Sequence, residues 1–569
     1  MTNSFTGRRF SRRQTLRGAG IGAAGLAGAA LIGCGDDDEA DSKQGTPAAV
    51  PTSGGSAATA APQEQPKKGG TFRFSANISH LDPHTTTIAF ATPVTSVMYS
   101  GLLRSTPWAK APFYELDLAK SVEQPDNLTY VFKLNEGVKF HNKPPVNGRV
   151  LTAEDVKASL ERVATKDPLF VHGADIDTIA SIEAVDANTV RIKTKEPDSR
   201  LLGTIALPQY IVAAKESFTQ FKDLRTVASA IGTGPYILDA GWNKDNGGRF
   251  TPNPAYFRSG LPYIESVEHV VISGNSFEQF LAGRVNQGAV PQTEVKGWEQ
   301  KYAGYPNYLA GGLASATGRQ LNVTRAPFND ARLRQALHLL TNRQESLAFS
   351  FEGFGRVSAG GLGWDHNAYN IAEQEILTWP GFRADKKADI AEGIKLLEGA
   401  GFTKANPLKF GINGWATQDN RFGTPAFERT KAEYEKASEG RIQVTIKGID
   451  FATTKEVEAR GEFDMDEAYW VVGPDPDHVL SKLHASNGGR NYARHKDPAL
   501  DALLAKQRQA FKFEERKAAI AEVVKKINEA QPIIWMSTGY NVNLGSKNLR
   551  AMLPTPSGGN WQLERAWFA

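Results

Sequence analysis

Arg421, Asp475 and Asp477 carry charges of the kind that can grip a small polar molecule, and each lies a few residues after a large apolar side chain, Trp415 or Trp470. The Arg421 guanidinium is a planar fork that meets a carboxylate through paired hydrogen bonds, although Asp419, two residues away, suits it equally to a local ion pair. Asp475-Pro476-Asp477 precedes Val479 and Leu483, so both aspartates have a second use as caps of a helix through those residues. His80 and His84 are four apart, but Pro83 between them opposes a helix presenting both imidazoles, and His478, His484 and His495 are loosely spaced. No resident metal and no cofactor are therefore expected. His141 has no second ligand beside it and reads as a packed or surface histidine.

Motifs of covalent catalysis are missing. The sequence has no Gly-x-Ser-x-Gly, His-Glu-x-x-His or Ser-x-x-Lys, and Arg356-Val357-Ser358-Ala359-Gly360 lacks the first glycine of the nucleophile turn. It has no Gly-x-x-x-x-Gly-Lys-Ser/Thr loop either, so any ATP hydrolysis tied to its action belongs to other subunits. Gly20-Ile21-Gly22-Ala23-Ala24-Gly25 fits the spacing of a dinucleotide fingerprint but lacks the strand that must precede it.

Those glycines belong to an address. Ser11-Arg12-Arg13-Gln14-Thr15-Leu16 is a twin-arginine pattern, followed by the small apolar run Gly18–Gly33. At about 1.5 Å per residue this run falls short of the roughly 30 Å hydrocarbon core, which reads as a cleaved signal rather than a permanent span. It ends in Leu31-Ile32-Gly33-Cys34, which resembles a lipoprotein cleavage site and implies diacylglycerol on Cys34, the single cysteine of the chain. Removing residues 1–33 takes away five arginines, turning a formal charge of +4 into −1, so nucleic acid is not an expected partner. Residues 34–67, acidic and then rich in Ala, Pro, Ser and Thr, bury too little apolar surface to fold and suit a tether spanning roughly 30 Å.

From Lys68 onward the texture is α/β. Alternation marks strands at Thr129–Leu134, Val190–Thr194 and Ile442–Lys447, and Ile533–Met536 reads as a buried one. Thr152-Ala153-Glu154-Asp155 opens a helix with Val156, Leu160 and Val163 inward. Asp389 caps a helix that ends at Gly401, Asp497-Pro498 supplies a cap and first-turn proline, and Glu514–Glu529 forms a long amphipathic helix.

Several ordered segments together resemble the cluster C (family 5) solute-binding proteins, the peptide, nickel and opine receptors of ABC importers. They are Lys68–Phe74, Leu81-Asp82-Pro83, the dense block from Leu118 through Leu134 and Gly137–His141 to Leu151–Val156, Ile231-Gly232-Thr233-Gly234-Pro235-Tyr236, Asp330–Leu340, Leu396–Gly401 and Asp475-Pro476-Asp477. Gly137, Gly232 and Gly234 are expected at turn positions with φ above zero. The resemblance implies a two-lobed periplasmic-binding-protein fold with mixed sheets and a hinge of crossing strands. Lobe I would span 68–314, with an extra subdomain at about 93–205; lobe II would span 315–535, and 536–569 would return to lobe I.

Ligand would then lie in the interlobe cleft. Peptide-binding members place an acid for the peptide amine shortly after a tryptophan; here Val472-Gly473 follow Trp470, leaving Asp475 and Asp477 as the nearest acids. Trp415 and Arg421 fall where the family's carboxylate-binding loop lies, and Trp364 is either a further wall or, by the commoner pattern, a core tryptophan. The expected protein is not an enzyme but a lipid-anchored, extracytoplasmic and monomeric receptor. It hands an oligopeptide or peptide-like solute to permease subunits with separate cytoplasmic ATPases. A non-peptide solute such as a metal chelate, opine or sugar is the alternative on the same fold, and an extracytoplasmic hydrolase the alternative of another class.

Overall fold

The structure is a computed structural model that describes residues 64–569 except 77, 79, 86–93, 107–113, 168, 171, 309–314, 364–367, 418–422, 472–474 and 553–560. Arg12, Arg13, Cys34, Trp364 and Arg421 lie outside the described residues, as does the tether up to residue 63. Glu64–Ala569 forms one compact unit.

The first strand, Thr71–Phe74, pairs in parallel with Ser266–His269, and Gly248–Pro252 and Tyr236–Leu238 complete a four-stranded sheet. Between its first and second strands in the chain is inserted a separate antiparallel sheet, ordered Ala119–Asp126, Thr129–Leu134, Thr189–Thr194, Ile179–Asp186. Alternation in Thr129–Leu134 turns Tyr130, Phe132 and Leu134 inward, against the Val156, Leu160 and Val163 stripe of the helix Ala153–Val163. Thr152 is the cap of that helix, and its amide donates to Asp155 Oδ2 at 3.0 Å, closing the expected capping box.

The second lobe is built on a six-stranded sheet ordered Gly355–Val357, Ile533–Gly539, Ser315–Leu321, Met465–Val471, Leu408–Trp415, Ile442–Ile449. One face carries Phe410, Ile412, Ile534 and Met536 against the helices Ala331–Leu340 and Thr424–Ala437. At the Ile533–Gly539 end the other face packs Ile533 and Trp535 against the helices Asp477–His484, Pro498–Arg508 and Phe513–Ala530. After Asn307–Tyr308 the chain next enters this sheet at Ser315, and from Gly539 it passes to Asn543–Gly545, which pairs back with Asn307–Tyr308.

Two expectations change. Gly137 has φ +73°, but Gly232 and Gly234 are absent from the left-handed region. They are glycines because a Cβ would lie 2.2 Å from the Met98 carbonyl oxygen at Gly232 and 2.4 Å from its carbon at Gly234. Asp389 is inside the first turn of the helix Lys387–Gly399 rather than its cap, and receives Lys386 Nζ at 2.8 Å and the Gly381 amide at 3.0 Å. Gly401, at φ +91°, follows that helix in the left-handed region as expected, and Asp497 Oδ1 caps Pro498–Arg508.

Candidate functional site

Strand direction brings the expected site residues to one edge of the six-stranded sheet. Leu408–Trp415 runs parallel to both Ile442–Ile449 and Met465–Val471, so Trp415 and Trp470 both sit at carboxyl ends of neighbouring strands. Ser315–Leu321 is antiparallel, and its first residues meet that same edge, with Ala316 opposite Trp470 on one side and Thr538 on the other. The edge where the chain crosses between lobes is therefore also the edge carrying Trp415 and Trp470. Carboxyl ends of parallel strands beside a junction of lobes are where an open α/β sheet leaves room for a ligand. Trp415 is half-buried, with Lys455 Nζ 6.0 Å from its ring centroid.

Asp475 and Asp477 follow that edge and are both engaged by arginines. Asp475 accepts from Arg516 Nη1 at 2.8 Å and Nη2 at 2.7 Å, and from the Asp477 amide at 2.9 Å. Burial opposes its ionisation, but the Arg516 guanidinium wins and holds the carboxyl well below the usual carboxylate range. Asp477 is the first residue of its helix, whose cap position is Pro476. Its carboxylate accepts from Arg200 Nη1 at 2.7 Å, Arg508 Nε at 3.0 Å and Ser481 Oγ at 2.5 Å, and from Gln507 Nε2. It too is buried yet held below the ordinary carboxylate range, by Arg200 and then Arg508.

Arg200, Arg508 and Arg516 are thus partners of these acids that no motif announced. In sequence, Arg508 ends one helix and Arg516 lies in the first turn of the next.

His84 and His141 are buried. His84 Nε2 is 3.1 Å from the Ile211 carbonyl and its Nδ1 is 2.9 Å from Arg162, with burial lowering its pKa to about 4. His141 Nε2 is 3.1 Å from the Gly234 carbonyl, and burial lowers its pKa to about 4 as well. Among the described residues no group of three or more His, Cys, Asp and Glu side chains is arranged to hold a metal. No described helix is long and apolar enough to cross a membrane.

Comparison with known proteins places this geometry. The glutathione-binding protein GsiB of Pectobacterium atrosepticum is 26% identical over 449 residues, covering 76% of this chain and 81% of its own. GsiB of Escherichia coli K12 is 25% identical over 506 residues, covering 85% of this chain and 91% of its own. Among solved structures, HbpA2 of Haemophilus parasuis matches with a TM-score of 0.74 at 22% identity, over 88% of this chain and 100% of that one. DppA of Helicobacter pylori, an ABC transporter-associated periplasmic binding protein in complex with the peptide STSA, matches with a TM-score of 0.69 at 23% identity, over 88% and 98%. The family model described as bacterial extracellular solute-binding proteins, family 5 Middle, matches residues 114–491, and the chain belongs to that family, as a two-lobed solute-binding protein of ABC transporters.

Proposed function

We propose that the chain captures an oligopeptide or peptide-like solute between its lobes and delivers it to an ABC importer. The family match across 114–491 carries this reading, and the kinship with glutathione-binding proteins over most of the chain supports a peptide-like solute. Lobe I would comprise 68–314 and 536–569, and lobe II 315–535. Trp415 and Trp470 would wall the solute and Arg421 would pair with its carboxylate. Asp475 would shape the rim through Arg516, while Asp477 is held by Arg200 and Arg508. Closure needs only that solute bind the closed form better; moving a 1:99 equilibrium to 99:1 takes about 5.5 kcal/mol. Export through Arg12 and Arg13, and acylation of Cys34, would hold the receptor at an extracytoplasmic membrane face on its tether.

The occupation of Asp475 and Asp477 by arginines favours a second reading, in which the solute offers no amino group to this rim. It would then be an amine-blocked or non-peptide compound. Mass spectrometry of small molecules released by denaturing the purified protein tests both readings. Peptides of shared length establish the first, and a single non-peptide species or a chelate establishes the second.

A further inference from the structure

The inserted subdomain touches the second lobe far from the chain crossings in sequence. Arg200 follows the last strand of the subdomain sheet and reaches Asp477, 277 residues later. Beside this pair the Ser199 amide donates to the Arg508 carbonyl at 2.8 Å, and Lys482 Nζ lies 2.6 Å from Asp175 Oδ1. Phe511, in the turn between the last two helices of the second lobe, packs against the hydrophobic core of the subdomain while staying partly exposed.

What distinguishes this contact from a structural ion pair is what each side keeps when they part. Arg200 is also bonded to Asp198 within its own lobe, through Nε at 2.8 Å and Nη2 at 2.7 Å. Asp477 keeps Arg508 and Ser481 within the other. A buried pair that loses one partner strands a charge at high cost. Here separation leaves both charges partnered locally and open to water, and the backbone groups of Ser199 and Arg508 are rehydrated. The contact stabilises the joined form, yet breaking it strands no buried charge, as a reversible closure requires.

We propose that this contact is a latch between the subdomain and the second lobe that stabilises the closed form, so that solute affinity is set partly outside the cleft. The latch adds to the receptor reading without depending on which solute is bound. A protein whose binding-competent form is a minor state loses apparent affinity in proportion to that fraction, so weakening the latch weakens capture with no change in any solute contact.

The test measures interlobe distance with no solute added. Spin labels are placed on the full chain at the exposed positions Val185 in the subdomain and Lys395 in the second lobe, as Val185→Cys and Lys395→Cys with Cys34→Ser. Arg200→Gln removes a hydrogen bond between charged groups and is expected to raise the share of long interlobe distances about tenfold. Phe511→Ala and Lys482→Met act at the periphery of the contact and should shift the distribution in the same direction, even if Arg200→Gln folds poorly. Distances unchanged in all three variants would overturn the proposal. So would a lowered melting midpoint with unchanged distances, which would make the contact part of one rigid body. Because solute identity is read separately by mass spectrometry, failure here leaves the receptor assignment standing.

Discussion

Replacing Asp475 with asparagine leaves Arg516 buried without its bidentate partner. The two bonds lost, at 2.7 and 2.8 Å, are charge-assisted, and the Arg516 side chain is only 5% exposed. Its remaining hydrogen-bond partners are neutral, Gln507 Oε1 at 3.3 Å and the Tyr369 hydroxyl at 3.3 Å, and the Asp477 carboxylate acts on it only at longer range. Breaking a buried pair from one side costs about 3–5 kcal/mol. For a unit of this size the entropy of unfolding is about 1 kcal/mol per kelvin, so the melting midpoint should fall by about 3–5 °C. Guanidinium titration followed by tryptophan fluorescence and circular dichroism at pH 7 reads the loss directly. The double variant Asp475→Asn/Arg516→Met should recover most of it, giving a coupling energy of at least about 2 kcal/mol. The sign with pH is also determined. Arg516 depresses the folded-state pKa of Asp475, so its stabilisation is fully present above about pH 4 and is lost only as pH falls through the folded value. The difference between parent and Asp475→Asn should therefore stay constant from pH 7 to about 5. An Asp475→Asn variant with parental stability and weakened solute binding would refute this reasoning and return Asp475 to the solute.

Acid should destabilise the protein through its neutral buried histidines. Burial lowers the pKa to about 4 in His84 and His141 and to about 3 in His484, so stability falls as pH drops below about 6.5, by about 2 kcal/mol per histidine at pH 5, and His484→Phe should remove one such share from the urea-measured slope. Gly234→Ala places a Cβ 2.4 Å from the Met98 carbonyl carbon and should cost about 1–3 kcal/mol in urea unfolding, whereas Gly137→Ala, with open space and φ +73°, should cost about 1 kcal/mol. Cys34→Ala should move the mature protein from the membrane to the soluble fraction on cell fractionation, with incorporation of labelled fatty acid abolished.

Local patterns carried much of the fold. The alternation of Tyr130, Phe132 and Leu134, the Thr152 capping box and the Asp497-Pro498 helix start depend on neighbours a few residues away, and each reappears in the structure. Gly232 and Gly234 were recognisable as special, but for a different reason. Backbone crowding by Met98, more than 130 residues earlier, leaves no mark at the glycines themselves. The same holds for Asp389, whose position near a helix start suggested a cap while its partners, Lys386 and the Gly381 amide, lie just before the helix.

For the candidate site, the resemblance pointed to Trp415, Trp470, Asp475 and Asp477, and the parallel pairing of their strands sets Trp415 and Trp470 at one edge of the sheet. The sequence by itself determined the family, through the resemblance of its ordered motifs, and the α/β texture, through its periodicity. Only the tertiary structure decided what Asp475 and Asp477 touch. Their partners Arg516, Arg200 and Arg508 come from other helices and from the other lobe, and an ion pair spanning 277 residues has no local signature. A carboxylate's role is set by whichever charge folding brings within about 3 Å, because the interaction falls off with distance and deepens with burial.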